Sequence, residues 1–356
     1  MNAAILSLGS ASSERTAEAM RRHFKEVDEI DVRKVEISLG GKEAQVLYEG
    51  KPIKHYDCIY AKGSYRYSPL LRSITTLLQG KTYFPLTPES FTIAHDKLLT
   101  QLILQQHDIP MPATFLAATV AAARKILEKA NYPLIMKFPQ GTQGKGVLFA
   151  DSLASAKSIL DALSALKQPF LIQEYIETGT SDIRAFVIGD RVIAAMRRQG
   201  TADEARANLH AGGVGEPYVL SSYAQKIAVQ TAQAIGAGIC GVDILESVKG
   251  PLVIEANVSP GLGIEAVTKI DVADKIAQHL HKNTQERKQA QKQRETRTAL
   301  REVDDSMQLL SPLDFRGTRV LLPEIIVKRA GLREKTDYEI TALPHEIRIR
   351  RFHDEE

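Results

Sequence analysis

The residues with the clearest chemical meaning lie in two apolar runs of strand length, 241–245 and 252–257, which also carry hard oxygen donors. Side chains two positions apart in a strand lie on one face, so Glu255 and Asn257 should project together, and Asp243 should join them from the paired strand. Two carboxylates and an amide oxygen, without sulfur or imidazole, favour magnesium over zinc or copper. Magnesium held by so few protein oxygens usually shares its coordination with substrate phosphates, which indicates a nucleotide site.

Residues 246–251, which contain Gly250 and Pro251, predict a turn between these two runs. The alternative to a magnesium site is a half-buried hairpin whose polar side chains face water. The hairpin residues alone do not decide between the two interpretations.

A glycine-rich loop at 141–146 follows the predicted strand 133–138. Backbone N–H groups in such a loop can approach phosphates closely, and a flexible hairpin is the alternative. It is not a Walker loop, because no Lys-Ser or Lys-Thr pair follows the glycines and no helix is predicted there. Lys137 strengthens the phosphate interpretation, since burying a lysine in an apolar strand is costly unless the lysine is paired.

Polar and basic residues follow along the next predicted strands. The strand end 173–176 should lie close to Lys137 and can offer backbone groups to an adenine edge, with Asp182 further on for a ribose hydroxyl. Arg184 shares a face with Asp182 because of its even spacing. Without these neighbours, an amphipathic strand with exposed polar residues would be the simpler interpretation.

Further cations precede the hairpin at Arg197, Arg198 and residues 206–210. The planar guanidinium group suits carboxylates and phosphates, and Asn208 could serve a metal or a phosphate. Basic loops are commonly just solvated, but the glycines at 212–213 suggest a close approach of the backbone to a ligand.

Composition bounds the class of protein. A chain of 356 residues predicts two or three domains, and contents of 44% hydrophobic and 25% charged residues are those of a soluble globular protein. The net charge of +3 does not by itself require a nucleic-acid or membrane partner. Only two cysteines occur, which favours a reducing, cytoplasmic location. Residues 1–9 predict a buried strand rather than a signal peptide, and no run approaches the roughly 18 apolar residues of a membrane span.

The chain divides by pattern into four parts. Alternating strands and helices predict a small α/β domain over 1–93, followed by an α+β region over 94–282. Between 282 and 302, seven Lys or Arg accompany three Glu, which predicts a charged helical linker over 283–314 or, alternatively, an arm for nucleic acid or an acidic partner. Residues 315–356 form a module too short to hold a good core alone, so it should dock on the rest of the chain or pair with a second copy. The main predicted elements are strand 3–8, helix 13–25, strand 58–61, helix 95–107, strand 133–138, helix 152–166, strand 170–175, two antiparallel strands in 181–196, helices 223–235 and 271–281, and, in the module, strand 319–322, helix 324–330 and strands 338–343 and 346–351.

The order of these motifs resembles the ATP-grasp superfamily, and within it most closely the RimK family of α-L-glutamate ligases. The resemblance spans roughly residues 1–280 and implies an α/β and α+β fold, in which a pre-ATP-grasp α/β domain precedes two α+β lobes that clasp ATP. The motifs that carry it, besides Lys97 and Lys137, are GTQGKGV (141–147), QEYI (173–176), DIR (182–184), RANLHAGG (206–213), GVDIL (241–245) and EANVSPGL (255–262).

The family resemblance also implies roles for individual residues. Lys97 and Lys137 would bind phosphates, Glu174 and Tyr175 would meet the adenine, and Asp182 would bind the ribose. The remaining ATP contacts would come from Gly141, Gln143, Gly144, Gly146, Arg206, Ala207 and Asn208. The catalytic set would be Arg198, Arg206 and Asn208. The ligands of two magnesium (or manganese) ions would be Asp243, Glu255, as the bridge, and Asn257.

The implied reaction explains why these groups occur together. An acceptor carboxylate takes the γ-phosphoryl group of ATP and becomes an acyl phosphate, which the amino group of L-glutamate then attacks to form an amide. Magnesium and cationic side chains stabilise the transferring phosphoryl group. The loop 141–146 would close over the phosphates and exclude water. The sequence identifies no general base for the amine.

Two segments depart from the family pattern. Residues 61–67 (AKGSYRY) stand where family members that modify ribosomal protein commonly carry an Arg-Ile-Gly segment that helps to bind the acceptor, so the acceptor stays open. Residues 319–351 are similar to AbrB-like swapped-hairpin modules. In 315–356, nine Lys or Arg are nearly balanced by eight Asp or Glu, which favours dimerisation over strong DNA binding.

The sequence therefore predicts a ligase that adds L-glutamate to an acceptor carboxylate such as a protein C-terminus and that forms a homo-oligomer. One rival acceptor is a small cofactor or an amino-group carrier protein. A rival of another class is a DNA-binding regulator that senses nucleotide, which the complete metal and phosphate set disfavours.

Overall fold

The computed structural model describes residues 1–41, 43–138, 146–165, 170–200, 214–304 and 312–352. The chain divides into two compact units, Met1–Arg287 and Lys288–Glu356. The first unit contains the α/β domain and two further sheets, and the second contains two small hairpins.

The first strands and helices of the chain form an α/β region of the first unit, around a three-stranded parallel sheet. The apolar run 3–6 is buried in the middle strand, against which the first helix packs. Ser10 caps that helix, since its side chain accepts a hydrogen bond from the backbone N–H of Ser13. The elements are β1 (Asn2–Ser7), α1 (Ala11–Arg21), β2 (Glu26–Asp31), β3 (Val35–Ser38), β4 (Gln45–Tyr48), β5 (Lys51–Pro52), β6 (Cys58–Ala61), α2 (Ser68–Leu78) and α3 (Pro88–Ile93). The parallel sheet has the order β2-β1-β6, and β3, β4 and β5 pair separately.

The next part is a four-stranded antiparallel sheet with a core of its own, in which Leu127, Met136, Leu160 and Ile172 are buried. Its elements, with the helix that leads into them, are α4 (Lys97–Gln106), β7 (Thr114–Leu116), α5 (Val120–Lys129), β8 (Leu134–Lys137), β9 (Val147–Ala150), α6 (Leu153–Ala165) and β10 (Leu171–Glu174). The strand order is β7-β10-β8-β9, so the strand that ends in Lys137 lies between β10 and β9.

The third part is a five-stranded antiparallel sheet that shares one core with the α/β domain. Val187, Val242 and Ile276 belong to the same buried cluster as Ile5 and Tyr60. The elements are β11 (Ser181–Ile188), β12 (Arg191–Gln199), β13 (Val214–Pro217), α7 (Ser222–Ala234), β14 (Ile239–Ser247), β15 (Gly250–Asn257), α8 (Ile264–Thr268) and α9 (Val272–Asp304). The strand order is β13-β12-β11-β14-β15.

Several predicted boundaries were wrong, among them that of the helix predicted over 13–25, which is α1 and ends at Arg21. The turn predicted over 246–251 is only two residues long, because Ser247 pairs with Gly250 and both strands continue to that point. Pro251 is tolerated in β15 because β15 is the edge strand of its sheet. The helix predicted to end at 281 continues to Asp304, through most of the segment predicted to be a helical linker. No described helix is long and apolar enough to cross a membrane.

The second compact unit contains two separate two-stranded sheets joined by a short helix. Gly331 has a positive φ of 65° just after this helix, at the position predicted for a glycine that ends it. The elements are β16 (Asp314–Arg316), which was not predicted, β17 (Arg319–Leu321), α10 (Glu324–Arg329), β18 (Tyr338–Leu343) and β19 (Glu346–Arg351). Large apolar side chains stay exposed, among them Phe315, Ile340 and Ile347.

Candidate active site

The β14–β15 hairpin brings the three predicted metal ligands to one face. Asp243 is directly opposite Glu255, and Gly241 is directly opposite Asn257. Since Glu255 and Asn257 are two positions apart in β15, all three side chains share that face, as the sequence predicted. The register shifts between Asp243 and the next residue, so a bulge lies beside the acidic pair.

Asp243 is the centre of a buried ion-pair network on the five-stranded sheet. Asp243 is 3% exposed, its carboxylate accepts a hydrogen bond from Arg184 Nη2 at 2.6 Å, and it forms an ion pair with Arg198 Nη2 at 3.1 Å. Arg198 Nε donates in turn to Asp182 at 2.7 Å. Burial raises the pKa of Asp243, but Arg184 and Arg198 outweigh burial and the pKa is lowered. Asp243 is therefore ionised and held in place by two arginines.

Glu255 lies in a different electrostatic setting. Its removal from water and the charge of Asp243 raise the pKa of Glu255, and Lys97, Arg184 and Lys137 oppose that increase only in part. A divalent cation between the two carboxylates would offset this repulsion. The donor set fits magnesium, because its ligands are oxygens and none is sulfur or imidazole.

The predicted metal set depends on the amide of Asn257 as well as on the two carboxylates. In the described ranges, no group of three or more His, Cys, Asp and Glu side chains is arranged to hold a metal ion. Asn257 Nδ2 lies 3.5 Å from Asp243 Oδ2, so the amide is within reach of the acidic pair. Substrate oxygens would complete the coordination, as is usual for magnesium.

Lys137 is buried on the four-stranded sheet and has a neutral partner. It is 7% exposed, and its Nζ donates to Gln173 Oε1 at 2.7 Å. Gln173 Nε2 donates onward to Thr114 Oγ1 at 2.7 Å. Burial and the nearby charge of Lys97 lower the pKa of Lys137 to about 8, and Glu255 opposes that decrease. An incoming phosphate would stabilise the charged form of this lysine.

The glycine-rich loop connects β8, which ends at Lys137, to β9, which begins directly after Gly146. Gly146 has a φ of 77°, and a Cβ at this position would lie 2.7 Å from Phe138 Cδ2, so the position requires glycine. Gly141, Gln143 and Gly144 lie outside the described residues.

The predicted adenine contacts lie at the end of β10. The Tyr175 ring packs edge-on against Phe149, with the ring centroids 5.1 Å apart. Glu174 Oε1 forms an ion pair with Lys249 Nζ at 3.1 Å, so the tip of the β14–β15 hairpin reaches this strand end. These aromatic and polar groups could line one side of a base pocket.

Contacts and charges bring together a first group of predicted residues, Lys97, Lys137, Asp182, Arg198, Asp243, Glu255 and Asn257. Glu174 meets the hairpin at its tip, through Lys249. A second group falls outside the described residues. Arg206, Ala207 and Asn208 are in that second group. Two contributors were missed. Arg184 shares a face with Asp182 but was not recognised as a partner of Asp243, and Gln173 was assigned to a strand end rather than to Lys137. The even spacing within β11 was the only available signal for Arg184.

Solved structures with the same architecture identify the fold class. The RimK domain protein of Sphaerobacter thermophilus DSM 20745, an ATP-grasp protein, aligns with a TM-score of 0.61 at 19% identity, over 79% of this chain and 99% of that one. The ATP-grasp ligase PsnB, solved with a phosphomimetic variant of its minimal precursor, Mg and ADP, aligns with a TM-score of 0.61 at 19% identity, over 78% of this chain and 97% of that one. The fold is therefore ATP-grasp, as predicted.

Sequence comparison places the chain within that class. Residues 94–280 match the RimK-like ATP-grasp domain. A protein of Trichodesmium erythraeum (strain IMS101) named "Probable alpha-L-glutamate ligase" is 36% identical over 289 residues, which cover 80% of this chain and 97% of that protein. The chain belongs to the RimK-like ATP-grasp family, and it is a ligase that forms carbon–nitrogen bonds. Both predictions are confirmed, whereas the AbrB-like character of the C-terminal module stays a prediction.

Proposed function

We propose that this ligase uses ATP and magnesium to add L-glutamate to an acceptor carboxylate at a protein C-terminus. The observation that carries the proposal is the pair of facing carboxylates, Asp243 and Glu255, with the cations Lys97 and Lys137 acting on Glu255. Opposite charges in this arrangement suit a metal ion and the phosphates of a nucleotide at one place. A site that held phosphate alone would have no use for two facing carboxylates.

The residues of the chain divide the reaction between them. Lys97 and Lys137 bind the phosphates, and Lys137, positioned by its hydrogen bond to Gln173, donates a second hydrogen bond to a phosphate oxygen. Magnesium, when bound, neutralises charge on the transferring phosphoryl group. Asp243, Glu255 and Asn257 would hold the magnesium or manganese, with Glu255 as the ligand shared by two ions.

Acyl transfer then completes the amide. The acceptor carboxylate displaces ADP from the γ-phosphorus, and the glutamate amine attacks the acyl carbon and releases phosphate. Arg198, Arg206 and Asn208 stabilise charge on the phosphoryl group, and Glu174, Tyr175 and Asp182 position the nucleoside. The loop with Gly141, Gln143, Gly144 and Gly146, together with Ala207, encloses the phosphates and excludes water.

The decisive experiment combines the purified protein with ATP, magnesium, L-glutamate and a panel of acceptors, followed by mass spectrometry and an assay of ADP. The panel contains peptides with free C-termini, small carboxylic acids and amino-group carrier proteins, so it also tests the rival acceptors. Glutamate-dependent ADP release with a matching increase in the mass of one acceptor supports the proposal. No ADP release with any acceptor, together with no ATP binding by calorimetry, contradicts it.

We also propose that the second compact unit mediates self-association in the cytoplasm. In the β18–β19 hairpin, Ile340 is opposite Ile349 and Ala342 is opposite Ile347, which gives one apolar face. Ile340 and Ile347 are 67% and 65% exposed, and an isolated two-stranded hairpin is only marginally stable in water. A second copy of the same face would cover these side chains.

This role can be tested by light scattering on the full-length protein. Ile340→Glu combined with Ile347→Glu should lower the molar mass to that of a monomer. Thr341→Glu, on the opposite face of the hairpin, is the control and should leave it unchanged. An unchanged mass in the double variant would contradict the proposal, and salt-sensitive retention of DNA lost in that variant would favour the regulatory alternative.

A further inference from the structure

In the described part of the first unit, two lysine side chains are buried, Lys137 and Lys62. Lys137 belongs to the phosphate side of the site. Lys62 is 4% exposed, lies just after β6 in the α/β domain, and has no part in the reaction as described above.

Lys62 lies at the C-terminal end of β6 in the parallel sheet. This end of the sheet is hydrogen-bonded to residues 259–262, which follow the β14–β15 hairpin. Lys62 Nζ donates to the Pro260 carbonyl oxygen at 3.3 Å, and the Gly63 N–H donates to Ser259 Oγ at 3.0 Å. The Leu262 N–H donates to Ser12 Oγ at 3.0 Å. Ligands of open α/β sheets bind in the crevice outside this edge of the strands.

The same segment reaches the charged network of the site. A Cβ added to Gly241 would lie 3.2 Å from both Pro260 Cβ and Arg184 Cδ, so Pro260 and Arg184 flank the same point of β14. Gly241 is itself opposite Asn257. Pro260 therefore contacts both groups, because its carbonyl oxygen accepts the hydrogen bond from Lys62 and its ring flanks β14 beside Arg184.

The charge of Lys62 is not balanced by an acidic group in the described ranges. Burial alone lowers its pKa to about 8, whereas Lys137 is influenced by Glu255. Lys62 Nζ also lies over the Tyr60 ring, 5.6 Å from the ring centroid. An ammonium group has three N–H donors, and a buried cation with one weak neutral acceptor is costly to maintain. Such a site is suited to an anion that arrives with the substrate.

The chemistry of the reaction identifies the class of that anion. The phosphates and the metal are accounted for by the groups around Glu255, which do not act on Lys62. L-glutamate reacts through its amino nitrogen, so neither of its two carboxylates takes part in the reaction. Both carboxylates are therefore available for recognition by the protein. An acceptor that ends in a dicarboxylic residue also carries one carboxylate that does not react.

We propose that Lys62 is a substrate-recognition residue that binds a non-reacting carboxylate of the amine or of the acceptor. The inference rests on the proposed function and adds the group that selects an acidic substrate. Binding would place the carboxylate at the edge of β6, next to the segment that leads from the metal ligands.

The first test measures binding without turnover. Wild-type protein and Lys62→Met are titrated with L-glutamate in the presence of a non-hydrolysable ATP analogue and magnesium, and then with L-glutamine and with the α-amide of glutamate. Lys62→Met should weaken glutamate binding at least about tenfold and remove the discrimination against one of the two amides. Binding of the ATP analogue should change less than about twofold. Lys62→Arg should restore part of the loss, and Lys54→Met, an exposed lysine of the same domain, is the control.

The second test separates the two sources of the carboxylate. Hydroxylamine replaces glutamate as the nucleophile, and formation of hydroxamate is followed on a peptide that ends in glutamate. A higher KM for the peptide in Lys62→Met assigns the lysine to the acceptor, and an unchanged KM with weaker glutamate binding assigns it to the amine.

A structural role for Lys62 predicts different results. If the lysine only bonds Pro260, Lys62→Met should lower the melting temperature and weaken all ligands together. Retained glutamate affinity, retained discrimination and an unchanged peptide KM in a folded variant would overturn the inference while leaving the proposed function intact. Failure of the wild-type protein to bind the ATP analogue would instead count against the proposed function.

Discussion

The two sheets that contribute charge to the active site hold that charge in different ways. On the five-stranded sheet, Asp243 and Asp182 are bonded to Arg184 and Arg198 within the protein. On the four-stranded sheet, the buried cation Lys137 is bonded to a neutral amide. Paired charges neutralise one another within the protein, whereas a neutral amide positions the lysine and leaves its charge available to a ligand.

This difference indicates which sheet adapts when substrates bind. The charges of the arginine–aspartate network are paired before any ligand binds, so the network can present Asp243, Asp182 and Arg198 to substrates as a rigid wall. Lys137 gains from a phosphate what Gln173 cannot supply, namely a full negative charge. Glu255 is influenced by both kinds of charge, because Asp243, Lys97 and Lys137 all act on its carboxylate.

Removing the charge of Glu255 should have the largest effect. Glu255→Gln keeps the shape and removes the bridging ligand, so turnover should fall at least about a thousandfold while the melting temperature is retained. The measurement is steady-state ADP release. Glu246→Gln, in the same hairpin but outside the metal set, is the control. Retained activity in Glu255→Gln would refute the metal assignment.

Removing a cation from the five-stranded sheet should reduce stability. Arg184→Met leaves Asp243, which is 3% exposed, without one of its two arginines, so the free energy of unfolding should fall by about 3 kcal/mol or more. Denaturant unfolding measures this change, and the exposed Arg191→Met is the control. A loss below about 1 kcal/mol would show that Arg198 alone is sufficient, and the network would then not be the rigid wall.

Removing the cation from the four-stranded sheet should reduce the affinity for ATP without reducing stability. Lys137→Met takes away a buried charge with no acidic hydrogen-bond partner, so stability should be unchanged or raised. Affinity for ATP should fall by about 2 kcal/mol or more, which is about thirtyfold in Kd by calorimetry. Lys129→Met, at the exposed last residue of α5, is the matched control. A large loss of stability with unchanged affinity would make Lys137 a structural residue.

The sequence anticipated the parts of the site that depend on local pattern. The alternation in 252–257 sets the face of Glu255 and Asn257, and the apolar run of the preceding strand sets the register that brings Asp243 opposite. The hairpin turn was predicted too long because Gly250 and Pro251 are typical of turns, and only the edge position of the strand makes them compatible with pairing.

Contacts between strands far apart in sequence could not be anticipated in the same way. Arg184 meets Asp243 because β11 neighbours β14, and nothing in either strand encodes that choice of neighbour. Lys62 follows a four-residue strand and precedes a glycine, a pattern usual for a surface lysine. Its burial depends on the segment around Pro260, almost two hundred positions away.

The smallest predicted effect tests whether the neutral partner of Lys137 matters. Gln173→Leu removes the hydrogen bond to Lys137 and the one to Thr114, so ATP affinity should fall by about 1 kcal/mol, roughly fivefold in Kd, because the lysine is less well positioned. Thr114→Val, which removes only the outer contact, should have a smaller effect. If Gln173 acts through the lysine, Gln173→Leu should have no further effect on affinity in the Lys137→Met background. Additive losses would instead mean that Gln173 contacts the nucleotide itself. The four-stranded sheet would then bind the nucleotide through Gln173 as well as through Lys137.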